Sequence, residues 1–217
     1  MSTQITWVHG NCGHFQEVED EWGEWTPAGW GLYLEGKAQD EDNHDEPWVH
    51  FHLPMTSLAV ESSQQWPRLR KVMLQFTTDY EPPIPNPEWV QESDNFYKYP
   101  MDDGGAFITQ LHVFDGHRRI FAENDLKWHS PRWDVYVVES LPLPQEIEIR
   151  HGLGVTVRVR FKDRRVIQKL AADPVGNKNS AGKPVSNFKP AVMKLLGGSK
   201  KRCFLSSVGC EFLPASP

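Results

Sequence analysis

Two imidazoles stand one residue apart in Pro47-Trp-Val-His-Phe-His-Leu-Pro54. The run alternates as a β-strand does, so His50 and His52 share a face, about 6.5–7 Å apart at Cα. That spacing suits two ligands of one metal ion, but a nitrogen–oxygen site needs a third. A carboxylate four or five residues beyond the second histidine would supply it. Those positions hold Thr56 and Ser57, and the next carboxylate is Glu61. The expectation is therefore no metal. An imidazole titrates near neutrality, so His52 is read as a candidate general base, and His50 as a pocket-lining or structural partner.

A second group lies in Glu123-Asn-Asp-Leu-Lys-Trp-His-Ser-Pro-Arg-Trp133, where Trp128, His129, Arg132 and Trp133 mix aromatic faces with hydrogen-bond donors beside Lys127. Such a patch can hold an apolar ring system bearing oxygen substituents, or stack on a sugar. His129 and Arg132 join His52 as catalytic candidates, and Trp128 joins His50 as a substrate-binding one. A third contribution comes from residues 81–105, rich in proline and acid, which carry Trp89, Tyr97 and Tyr99 and read as a loop able to pack over a pocket. The chain has nine tryptophans, and because indoles are mostly buried in folded proteins, a tryptophan-rich core is expected.

Other chemistry is excluded by spacing. Gly152-x-Gly154 is followed by a strand pattern, not the helix a dinucleotide loop needs. Cys12 between His9 and His14 reads as a glycine-rich turn rather than a nucleophile. The acidic runs at 17–25 and 39–47 lack the glycine and glutamate positions of a calcium loop. No cofactor motif is present, so none is expected. Net charge is −6, which gives no field favouring nucleic acid, and the basic run at 198–202 reads as a solvated loop. No apolar run approaches the ~20 residues of a membrane span. Cys203 and Cys210, seven apart in one strand, would face opposite sides, so disulfides are not expected and a reducing, cytoplasmic setting is.

The elements that must position these groups are almost all strands. Period-two runs bounded by Gly, Pro, Asn and Asp occur at 4–9, 15–19, 30–35, 48–53, 69–78, 106–114, 119–126, 133–138, 147–150, 155–161 and 204–212. Val155, Val157, Val159 and Phe161 face one way, and Thr156, Arg158 and Arg160 the other. Asp115-Gly116 marks a hairpin turn. Roughly ten such strands predict an all-β, antiparallel, jelly-roll-like sandwich. It is read as a single domain over 1–217, with loop insertions near 81–105 and 171–200. One short helix is expected over 190–197, from Pro190 in its first turn to Gly197 as its cap.

Six stretches follow one another along the chain: "TWVHGN" at 6–11, "GWGLYLEG" at 29–36, "PWVHFHLP" at 47–54, "FITQLHVFDG" at 107–116, "GLGVTVRVRF" at 152–161 and "FLSSVGCEF" at 204–212. Together they resemble a family of small microbial β-sandwich proteins of undetermined function. The resemblance implies the sandwich fold and names no reaction. It also implies that His50 is a family position, whereas His52 departs from a usually small or apolar residue. In kind, though not by motif, the chain is similar to fungal cofactor-free hetero-Diels–Alderases.

Two functional classes follow. One is a cofactor-free small-molecule enzyme, a natural-product cyclase or pericyclase holding a conjugated substrate between aromatic faces. The other is a lectin-like carbohydrate-binding sandwich; a self-associating structural module, forming a homo-oligomer, is a third and blander reading.

Overall fold

The computed structural model describes residues 3–15, 23–37, 46–53, 66–83, 85, 90–93, 96–100, 103–163, 165–170, 192–195 and 200–213. β1 (Gln4–His9) leads through one 3-10 turn, Gly10–Cys12, into β2 (His14–Phe15). β3 (Gly23–Ala28) and β4 (Gly31–Lys37) form a hairpin, followed by β5 (Trp48–Leu53), β6 (Arg68–Thr78) and β7 (Tyr80–Glu81). Next come β8 (Val90–Ser93), β9 (Phe96–Pro100) and the hairpin of β10 (Gly104–Asp115) with β11 (Arg118–Glu123). β12 (Val137–Glu148), β13 (Leu153–Lys162), β14 (Arg165–Leu170), β15 (Val192–Leu195) and β16 (Lys200–Leu213) complete the described strands.

Two six-stranded antiparallel sheets pack face to face as a β-sandwich. Sheet A runs β12-β6-β16-β4-β3, with β1 beside β16; sheet B runs β11-β10-β13-β5-β2, with β7 beside β10. The alternation read from sequence carries the core. Val49, Phe51 and Leu53 of β5 and Val155, Val157, Val159 and Phe161 of β13 all point inward, against Leu32, Leu34, Val72, Leu74 and Phe76 from sheet A. No described tryptophan belongs to that fully buried set. The expectation of a tryptophan-filled core fails because phenylalanine and aliphatic residues close the space between the sheets; of the described indoles Trp128 packs against that core, partly buried, and none fills it.

A smaller sheet, β15-β14-β9-β8, draws on the ranges read as insertions. The helix expected over 190–197 is not formed: Val192–Leu195 is a strand paired with Arg165–Gln168. An eight-residue helix falls short of the ~12–15 residues at which helices become self-sustaining. β14 supplies the segment with a hydrogen-bonding ladder instead.

β16 lies at the centre of sheet A and contains a bulge. Its register with β6 slips between Leu205 and Ser207, inserting Ser206. Before the slip Cys203 and Leu205 face the core, and after it Val208, Cys210 and Phe212 do. Cys203 and Cys210 therefore lie on the same side, not opposite sides, and burial raises both thiol pKa values. The basic run also departs from its solvated-loop reading. Lys200 pairs with Glu35, Arg202 with Asp79, and the buried Lys201 with Glu81, all from within β16.

The Asp115-Gly116 hairpin forms as expected, with Gly116 at φ 60°. The buried Asp115 carboxylate accepts the backbone N–H groups of Arg150, His151 and Gly152 at 3.1, 2.6 and 3.2 Å. It thereby ties the β12–β13 connection to the β10–β11 turn. Asp115→Ala leaves those donors without their acceptor, and urea unfolding should show a loss of roughly 2–4 kcal/mol. A loss below about 0.5 kcal/mol would remove Asp115 from this role.

Candidate functional site

The expected site residues occupy separate places. Trp48 and His50 are half-buried and His52 is exposed, all on the outer face of sheet B. A cross-strand row runs from His14 through His50 and Thr156 to His112. Within it His50 Nδ1 lies 2.7 Å from Thr156 Oγ1, and at its end His112 Nε2 lies 2.9 Å from Asn124 Oδ1. Trp48 packs on His112, and the Arg158 guanidinium lies over its indole. His52 has the His14 ring 6.1 Å away, centroid to centroid. Among the described residues no three His, Cys, Asp or Glu side chains converge as a metal site.

His129 lies farther along the same sheet. Its ring stacks on Tyr80 at 3.5 Å and meets the edge of Phe107. Phe107 pairs with Arg160 and His52 with Gly154, six residues apart on β13. His52 and His129 are thus separated by about 20 Å along the sheet. Trp128 is fixed by a two-way backbone bridge to Ile108 and packs against the core. Arg132 extends into solvent beside Asp134, and its carbonyl accepts from Ser130 and Thr77. Tyr97 and Tyr99 lie in β9, opposite Lys169 and Ile167, and Trp89 lies outside the described residues. Among the described residues, His50 and His52, His129 with Trp128, and Arg132 therefore do not frame one space.

A different set does. On the outer face of sheet A an open trough of about 480 Å³ is lined by Trp7, His9, Trp30, Gln75, Tyr136, Val138, Ser206 and Ser207. Its floor is a cross-strand row: Val138 on β12 stands opposite Gln75 on β6, which stands opposite Ser207 on β16, which stands opposite His9 on β1. The bulge turns the successive hydroxyls of Ser206 and Ser207 toward one partner. Both donate to Gln75 Oε1, at 3.3 and 3.0 Å.

The aromatic walls are held from below. A Cβ at Gly209 would fall 2.6–2.7 Å from three atoms of the Trp7 benzo ring, so the indole lies down over β16 where a side chain would otherwise stand. Trp30 sits in a two-residue hairpin loop whose left-handed Gly29 (φ 59°) meets the positive-φ requirement of such turns. The Gly10 N–H donates to Trp30 O, and Asn11 Nδ2 donates to Gly29 O. The 3-10 turn thus pins the rim. Tyr136 leans edge-on against Phe204, whose ring covers Gly31. Trp7, Tyr136 and Trp30 nonetheless remain 43%, 45% and 58% exposed.

Sequence reading nominated none of the eight described residues that line the trough. The signal was the apolar alternation of β16, which changes phase at Ser206-Ser207 and so marks a bulge. On β4, the pKa of the Tyr33 hydroxyl is pushed up to about 12 by burial and by its hydrogen bond to Glu35. No protein-family model matches the chain, and neither a curated protein nor a solved structure does.

On the sheet B face, burial first, then the neighbouring His52 and His14, lowers the pKa of His50 below its usual 6.5. The unfolded chain therefore takes a proton at a higher pH than folded His50 does. This contribution to stability is fully present above pH 6.5 and is lost as pH falls toward the folded value. His50→Asn should flatten the pH dependence of the urea midpoint below neutrality relative to the parent. An unchanged slope would contradict this placement of His50.

Proposed function

We propose that this protein is a carbohydrate-binding β-sandwich whose combining site is the trough on the outer face of sheet A. The observation that carries the reading is the pairing of exposed aromatic walls with a polar floor. Trp7, Trp30 and Tyr136 offer stacking faces, and Gln75, Ser206 and Ser207 offer hydrogen-bonding groups between them. Sugars present both surfaces at once, C–H faces that stack on rings and hydroxyls that donate and accept. Monomeric proteins seldom leave large aromatic side chains exposed together unless they meet a ligand or partner.

The exposure also weighs between the two functional classes. A cofactor-free cyclase of a conjugated substrate calls for an enclosed, water-excluding space. This trough is open, with largely apolar walls and polar groups of Gln75, Ser206 and Ser207 at its floor, which suits reversible sugar binding better. Three of the stretches singled out in the sequence, at 6–11, 29–36 and 204–212, meet at this place, contributing Trp7 and His9, Trp30, and Ser206 and Ser207.

The test is a glycan array, followed by titration calorimetry on the glycans retained. Trp7→Ala should weaken binding at least about tenfold, the loss expected for a central aromatic contact. His52→Ala should leave it unchanged. Binding that survives Trp7→Ala would overturn the assignment. So would a Trp7→Ala variant that binds glycan normally but changes sedimentation behaviour, because the face would then serve self-association.

A further inference from the structure

We propose that the trough selects an uncharged pyranose, stacked on Trp7 and read through neighbouring hydroxyls by the Gln75 carboxamide and the two serines. This deepens the carbohydrate reading above and rests on it.

The first argument is charge. Among the described residues the lining contains no carboxylate, lysine or arginine. The nearest charged groups along β16 are Arg202 and Glu211, each four residues from a floor serine, or about 13 Å. Both are already neutralised: Arg202 holds Asp79 through two bonds of 2.7 and 3.0 Å, and Glu211 takes Lys71 at 2.8 Å with Arg70 behind it. At physiological salt such distances exceed the ~8 Å screening length. An acidic sugar would bring its carboxylate against a wall of indole and phenol, with no lysine or arginine to receive it and the His9 imidazole as the one basic group in the lining, so its desolvation is poorly repaid. A neutral sugar meets no such cost.

The second argument is the donor pattern of the floor. Both serine hydroxyls, on residues only 3% and 8% exposed, donate to Gln75 Oε1, which fixes the carboxamide and leaves the serine lone pairs as acceptors where the oxygens reach the trough. Gln75 Nε2 donates to no described residue, so two N–H groups remain. The floor therefore presents donors next to acceptors, the complement of two adjacent hydroxyls that each donate and accept. An anion would want donors alone. The pattern is preset, because the bulge fixes both hydroxyls before any ligand arrives, and preorganised groups lose less freedom on binding.

The third argument is the platform. Trp7 lies across Gly209, so one indole face rests on the strand and the other is turned to the trough. A flat C–H surface is what such a face stacks, and a pyranose supplies one.

The experiment is calorimetry with a panel of neutral gluco-, manno- and galacto-oligosaccharides and the glucuronate and galacturonate oligomers of the same lengths, each at low and high salt. A neutral member should bind with a Kd insensitive to salt, and its uronate counterpart at least tenfold more weakly. Gln75→Glu, whose fold is checked by circular dichroism and urea midpoint, should weaken neutral binding at least tenfold by removing the N–H donors. Gly209→Val should do the same by displacing Trp7. Uronates that bind as tightly as neutral sugars, or binding that falls with salt, would overturn the selection for uncharged ligands while leaving the carbohydrate reading in place. Neutral binding untouched by Gln75→Glu would overturn the role given to the floor. No binding anywhere in the panel, with Trp7→Ala equally silent, would overturn the carbohydrate reading and this inference together.

Discussion

The apolar alternation of β16 has to serve one core on both sides of Ser206, and only an inserted residue permits it. Cys203 and Leu205 precede the insertion, and Val208, Cys210 and Phe212 follow it, all buried. Without the extra residue one half of the strand would turn its apolar set to solvent, at about 1.5–3 kcal/mol for each large side chain. The strand is central, so its neighbours β6, β4 and β1 all depend on that phase. The bulge also leaves two hydroxyls, at Ser206 and Ser207, on the outer face, where they need a partner. Gln75 provides it, and the floor of the trough results. The packing constraint and the site are one feature of the chain.

The two outer faces differ in how far they satisfy themselves. On sheet B, His50 bonds to Thr156, His112 to Asn124, and the buried Glu46 takes Arg158, Arg160 and the Thr109 hydroxyl. His14 and His52 keep their exposed imidazoles there, but among the described residues no wall of exposed aromatic rings stands beside them. On sheet A, the charged groups at either end of the trough pair off, while the aromatic rings between them stay exposed and the Gln75 amide keeps its donors. Exposed indoles over a satisfied but not saturated floor are costly to keep unless something binds. That asymmetry, more than any single residue, points to sheet A.

Much of the scaffold was legible in the residues, and the reasons for the rest are specific. The run at 48–53 matches β5 residue for residue because one buried face enforces strict alternation, and the run at 4–9 matches β1 although Val8 alone is buried there. β3 was missed because Pro27 argues against a strand; it lies at the edge of sheet A, pairing only with β4, where proline is tolerated. The helix expected over 190–197 followed end signals that a short segment cannot sustain against a waiting strand partner. The cysteine parity failed on the bulge alone. The site was least legible: Gln75, Ser206 and Ser207 carry no motif, and they meet only because register brings β6 and β16 together. The histidines drew attention by type, yet their chemistry is mostly taken up within the sheet.

The most direct measurement is a nitrogen-15 NMR titration of the intact chain with the neutral oligosaccharide that calorimetry identifies. The account predicts that the indole N–H signals of Trp7 and Trp30 and the side-chain amide of Gln75 move first and saturate together, with Ser206 and Ser207 backbone signals following. Shifts centred instead on Trp48, His50 and His52 would place the site on sheet B and contradict it.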